Sequence, residues 1–139
     1  MPVQITFVKT SKGKGTRMLG KLKWLADECL VVSGGYGRGA IPDGIYGIDI
    51  YRAVEGDRSS MKSGFVDPSN GRGWYLPLVP KFSTSRHGFG IHPDGNLPGT
   101  KGCLGLQGKD IWRFWDKWNR TPMNMRPTLL LVTTNLITG

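Results

Sequence analysis

Apolar and polar side chains alternate with a period of two along much of this chain, the pattern of strands that bury one face. Over residues 3–8, Val3, Ile5 and Phe7 fall on one face and Gln4, Thr6 and Val8 on the other, and residues 9–16 read as the following turn. Residues 18–24 and 29–32 are weaker strand candidates, and 33–44 (SGGYGRGAIPDG) is a predicted loop. In 45–51, Tyr46, Ile48 and Ile50 face one way and Gly47 and Asp49 the other. Further strands are predicted over 74–79, 88–92, 103–106 and 128–134, with a long polar excursion at 52–72 that either flanks a groove or forms a disordered tip. The period changes to 3.6 only over 109–120. There Ile111, Phe114, Trp115 and Trp118 form one stripe and Asp110 sits in the first turn, favoured by the helix dipole. The stripe is expected to pack on the sheet, with Trp112 pointing elsewhere.

Composition narrows this to one mainly β domain. The 139 residues include 21 glycines and 9 prolines, nearly twice the ordinary combined share of about 12%, together with 14 aromatics (5 Trp, 5 Phe, 4 Tyr). Short strands joined by tight turns use residues in that way. The two cysteines, Cys29 and Cys103, exclude a disulfide scaffold, and Cys29, preceding Leu30, Val31 and Val32, is expected to pack in a strand. No apolar run approaches the roughly 20 residues of a membrane-spanning helix. The opening MPVQITFVKT lacks the basic-then-apolar pattern of a secretory leader, so synthesis in the cytoplasm and export by another route are expected.

The formal charge is +9, from 19 Lys and Arg against 10 Asp and Glu. It is densest in 1–24, where Lys9, Lys12, Lys14, Arg17, Lys21 and Lys23 have no acidic neighbour in sequence. This segment reads either as a docking surface for phosphate-rich polymers or as a solvated hairpin loop. The sequence carries no zinc-finger, helix-turn-helix or RNA-binding aromatic signature, which argues against sequence-specific nucleic-acid binding. The glycine-rich 33–44 segment leads into a strand rather than a helix, which excludes a dinucleotide loop.

Candidate chemistry gathers in 85–106, SRHGFGIHPDGNLPGTKGCLGL, which holds both histidines and one cysteine. An imidazole that accepts a thiol proton and later returns it to a leaving amine makes a minimal acyl-transfer pair. Gly102, immediately before Cys103, allows a tight turn that aims main-chain N–H groups at one point, as an oxyanion hole requires, and Lys101 favours a thiolate. Both histidines precede the cysteine, unlike the order in papain-like enzymes. A zinc site of His87, His92 and either Asp94 or Cys103 is the alternative, although the odd separation of the histidines puts them on opposite faces of a strand.

At these residues the chain resembles the L,D-transpeptidase (YkuD-like) family, whose pattern is an Ile-His-Gly strand end followed by Ser/Thr-x-Gly-Cys-hydrophobic. Here it reads I-H-P-D-G and then T-K-G-C-L, with ten residues between His92 and Cys103, a gap similar to that of the compact branch of type VI secretion effectors. SGGYGRG, A-I-P-D-G-I-Y and S-R-H-G-F-G-I-H resemble further segments of that branch, so that the likeness covers about residues 33–106. The resemblance implies a small β-sandwich or barrel-like domain with one flanking C-terminal helix. It makes Cys103 the nucleophile and His92 the base, its ring oriented by the Pro93 carbonyl, with Lys101, Gly102 and Cys103 N–H groups as the oxyanion hole. Arg86, His87, Pro93, Thr100 and Tyr46 become substrate contacts, Arg86 toward a peptide-stem carboxylate. Pro93, Lys101 and Gly105 depart from the residues usual in the family. The implied substrate is a peptidoglycan stem peptide, cleaved or exchanged through a Cys103 thioester without a cofactor. The protein is expected to be a monomer that acts at the bacterial cell wall as a phage lysis enzyme or antibacterial effector and approaches an anionic envelope surface. A non-catalytic cell-wall or nucleic-acid binding module and a zinc peptidase are the alternatives.

Overall fold

In the computed structural model, which describes residues 4–35, 39–95, 100 and 102–136, eight strands hydrogen-bond in a closed cycle. The strands are β1 (Ile5–Lys12), β2 (Met18–Trp24), β3 (Asp27–Ser33), β4 (Gly44–Ile48), β5 (Val54–Asp57), β6 (Val66–Asp67), β7 (Arg72–Pro80), β8 (Phe89–Pro93), β9 (Leu104–Leu106) and β10 (Leu129–Thr134), with one α-helix, α1 (Asp110–Arg120). Neighbours run β4, β10, β1, β2, β3, β9, β8, β7, and β7 pairs back with β4 to complete the barrel. The pairs β1–β10 and β8–β9 are parallel and the others antiparallel. Closure leaves these strands without the open edges that invite aggregation. The mainly β architecture with a single helix is the one the alternation and composition indicate.

The period-two pattern sorts the side chains. Ile5, Phe7, Leu22, Val31, Tyr46, Leu76, Ile91, Leu104 and Leu130 fill the interior. The helix lays its predicted stripe on this core, with Trp74 stacked on Trp115 (centroids 4.7 Å apart, planes 5° apart) and Trp24 tilted against Phe114 at 5.6 Å. Asp110 does more than complement the helix dipole. Its Oδ2 accepts from the Leu30 N–H (2.8 Å) and its Oδ1 pairs with Arg113 (2.8 Å), joining the helix start to β3. Trp112 points away from the stripe and donates to Asp67 Oδ2 at 2.8 Å. Cys29 is a buried free thiol on β3.

Two expectations change. Strand β1 continues past Val8 to Lys12, with a bulge between Lys9 and Ser11, so Lys9 belongs to the sheet rather than the turn. Its ammonium is buried, donating to the Ile41 carbonyl (2.7 Å) and pairing with Asp43 (2.9 Å). Residues 52–72 are an ordered excursion comprising β5, a 3₁₀ turn (Ser63–Phe65) and β6, which flank the first half of β7. Among the described residues no helix is long and apolar enough to cross a membrane.

Candidate functional site

Strand register places the chemistry on the outer surface of the barrel. Strands β8 and β9 run parallel with Ile91 opposite Leu104 and His92 opposite Gly105. Ile91 and Leu104 point into the core, so His92, the next residue on β8, and Cys103, which immediately precedes β9, fall on the opposite, outer face. On the other side of β8, Leu76 of β7 pairs with Ile91. The next outward residue on β7 is Tyr75. Its ring stacks on His92 (5.8 Å, 12°), and its hydroxyl donates to the Gly88 carbonyl (3.3 Å), the same oxygen that the Cys103 thiol reaches. Gly90 makes this possible: a Cβ there would run into the Tyr75 phenol.

The outer face is covered here. Phe65, at the end of the 3₁₀ turn, packs on His92 (4.3 Å) and on Tyr75 (5.0 Å), and the turn is tied down by a Gly95 N–H to Gly64 carbonyl bond of 3.1 Å. His92 is consequently only 4% exposed and Cys103 6%. Burial without a counter-charge disfavours a charged imidazole and holds the His92 pKa down to about 4, the Pro93 hydrogen bond opposing only part of this. Burial likewise pushes the Cys103 thiol up, against the opposing influence of the Gly90 N–H, the Tyr75 O–H and the Arg86 charge. At neutral pH the resting pair is therefore a neutral thiol and a neutral imidazole.

The imidazole tautomer follows from its neighbour. Nδ1 lies 2.6 Å from the Pro93 carbonyl, which only accepts, so Nδ1 carries the proton and Nε2 presents a lone pair. Pro93 is buried and serves through this carbonyl. The thiol donates to the Gly88 carbonyl at 3.4 Å.

Thr100 is a buried fastener rather than the predicted substrate contact. Its hydroxyl donates to the Cys103 carbonyl (2.7 Å) and accepts from the N–H groups of Gly34 (3.1 Å) and Gly102 (3.2 Å). The Gly102 N–H, expected to line the oxyanion hole, is thus engaged. The Cys103 N–H has no backbone acceptor among the described residues, and Lys101 lies outside them. Gly102 has φ +107°, and a Cβ there would collide with the Arg86 guanidinium. Arg86 donates to the carbonyls of Ala40 (3.0 Å) and Gly39 (2.9 Å) and lies 5.4 Å over the Phe89 ring, so that part of its fork holds the glycine loop rather than being wholly open to a ligand. Gly105 has no room for a larger side chain, because the Thr100 methyl and Asp94 lie 2.8 and 3.0 Å from where its Cβ would be.

Tyr46 is not at the site. It is fully buried in the core, its hydroxyl donating to the Pro42 carbonyl (2.7 Å) and its ring edge-on to Phe82 and Phe89. The alternation that grouped it with Ile48 and Ile50 already marked this face. His87 is exposed on the loop before β8, separated in environment from the covered His92. Among the described residues no three His, Cys, Asp or Glu side chains are placed to hold one metal ion. Tyr75 and Phe65, which build the surroundings of His92, are absent from the predicted site. The outward position of Tyr75 beside inward Trp74 and Leu76 was a signal, but only the β7–β8 register joins it to His92.

Compared with known proteins, the chain matches no family model, no curated protein and no solved structure.

Proposed function

We propose that the chain is a cysteine-dependent acyl-transfer enzyme of L,D-transpeptidase type acting on peptidoglycan stem peptides. The observation that carries the reading is the arrangement on one face of β8 and β9: a thiol, and an imidazole whose Nδ1–H is held by the Pro93 carbonyl so that Nε2 is the basic atom. In this reading His92 Nε2 takes the Cys103 proton as the sulfur attacks the carbonyl of an L-centre that precedes a D-residue. The Cys103 N–H stabilises the developing oxyanion. The C–N bond then breaks, His92 returns the proton to the departing amine, and a thioester remains. Water or an acceptor amine, deprotonated by His92, attacks the thioester and restores the thiol. Since the resting thiol and imidazole are both neutral, the Cys103 proton moves to His92 in the course of the reaction.

In this reading the Arg86 guanidinium, which has no carboxylate within ion-pair distance among the described residues, and the exposed His87 meet the stem peptide. The site of action is the cell wall, reached by phage lysis or by injection. The test is incubation of purified muropeptides with the protein and analysis of products by mass spectrometry. Stems shortened or exchanged at the D-residue by the wild type and unchanged by Cys103→Ala are expected. Unchanged stems, or equal activity in Cys103→Ala, overturn the proposal. A non-catalytic module is the second reading, favoured by the near-complete burial of both groups. It requires wall binding that survives Cys103→Ala with no product at all.

A further inference from the structure

The six cations of residues 1–24 are not equivalent in three dimensions. Lys9 is paired with Asp43, and Lys21 and Lys23 both reach Glu28 (3.3 and 3.9 Å). Lys12, Lys14 and Arg17 have no carboxylate within 4 Å among the described residues, and all three lie at the tip joining β1 to β2. Lys12 and Lys14 are exposed. Arg17 folds over the glycine loop, its Cγ 2.6 Å from where a Gly35 Cβ would be, and its Nε is buried without a hydrogen-bond partner.

That contact continues toward the thiol. The Gly35 N–H donates to Thr16 Oγ1 (3.1 Å), Gly35 bridges Thr100, and the Thr100 hydroxyl binds both the Gly102 N–H and the Cys103 carbonyl. Arg86, a fourth cation with no carboxylate partner among the described residues, closes the far side of the Gly102 turn. Among the described residues, cations without a carboxylate partner therefore mark a track that starts at the hairpin tip (Lys12, Lys14), passes Arg17 against Gly35 and ends at Arg86 beside Gly102.

We propose that this track docks a flexible polyanion with repeating phosphate groups, leading it to the Cys103 turn. Charge complementarity supplies the attraction. A path that bends over a loop and ends at a buried turn fits a narrow, flexible chain better than a flat bilayer. The tip residues 11–17, SKGKGTR, contain no aromatic ring on which a base could stack, as binding of single-stranded nucleic acid uses. The proposal goes beyond the thiol chemistry and does not depend on it.

The probe is long-chain inorganic polyphosphate, titrated by calorimetry at low salt and at about 0.15 M salt, with a thymidine oligonucleotide and phosphatidylglycerol vesicles as parallel arms. Wild type and Cys103→Ala are expected to bind polyphosphate equally. Lys12→Gln/Lys14→Gln/Arg17→Gln is expected to weaken binding by about tenfold or more and to flatten its salt dependence. Lys81→Gln/Lys109→Gln/Arg120→Gln, with the same change in charge elsewhere on the surface, is expected to lose less than about threefold. The exposed pair Lys12→Gln/Lys14→Gln repeats the measurement without touching the packed Arg17, and is expected to show an intermediate loss. Absence of polyphosphate binding, equal weakening in both triple variants, or binding of the oligonucleotide or vesicles as tight as that of polyphosphate overturns the proposal.

Discussion

Lowering the pH from 7 to 5 is expected to cost the fold about 2 kcal/mol through His92 alone. The ring is 4% exposed beneath Phe65 and beside Tyr75, and its pKa is held down to about 4. In the unfolded chain an imidazole takes up its proton near pH 6.5. Between those values the unfolded state binds a proton that the native state refuses. Stability is therefore full above about pH 6.5 and falls as the pH drops, by about 3 kcal/mol once the pH is below 4 and about 2 kcal/mol at pH 5. Carboxylates titrate in part of this range, so the measurement is a difference. Urea unfolding of wild type and His92→Asn at pH 7, 6 and 5 isolates the residue, because Asn retains a donor toward the Pro93 carbonyl and does not titrate. Whatever Asn costs through lost ring stacking is the same at each pH. The stability advantage of wild type is expected to shrink by about 2 kcal/mol from pH 7 to 5. An advantage constant within about 0.5 kcal/mol refutes the claim that the fold holds His92 neutral.

Phe65→Ala uncovers the ring. The His92 pKa, followed by NMR titration, is expected to rise from about 4 toward the ordinary imidazole value. Gly102→Ala forces a side chain into φ +107° and onto the Arg86 guanidinium, at an expected cost of about 2 kcal/mol or more in urea unfolding. Tyr46→Phe removes only the hydrogen bond to the Pro42 carbonyl, with an expected loss of about 1 kcal/mol and no change in the alkylation rate of Cys103. A changed rate would place Tyr46 at the site after all.

The parts legible in the sequence are those governed by local periodicity. The outward and inward residues of β1 and β4 and the buried stripe of α1 follow from spacings of two or of 3.6. So does the core position of Tyr46, where the alternation was the better guide than family resemblance. What was hidden depends on contacts between distant segments. Lys9 looks like part of a cationic turn until Asp43 is brought against it. Phe65 sits in a polar excursion with no period, and its role exists only because Gly95 fastens that turn over β8. Tyr75 is an ordinary outward aromatic until the register with β8 sets it against His92, with Gly90 vacating the space between. Gly102 was assigned from its position before the cysteine, but the Thr100 hydroxyl takes its N–H. Cys103 and His92 were visible because both are chemically distinctive and lie within one short segment.

The most direct test of the central claim is the intact mass of the protein after brief exposure to a stem peptide ending in a D-residue, followed by acid quenching and peptide mapping. The account predicts an added mass equal to the stem acyl group without its D-linked portion, located on Cys103 and released by hydroxylamine, with Cys29 unmodified. No adduct under conditions where stem peptide binds, or an adduct that persists in Cys103→Ala, contradicts it.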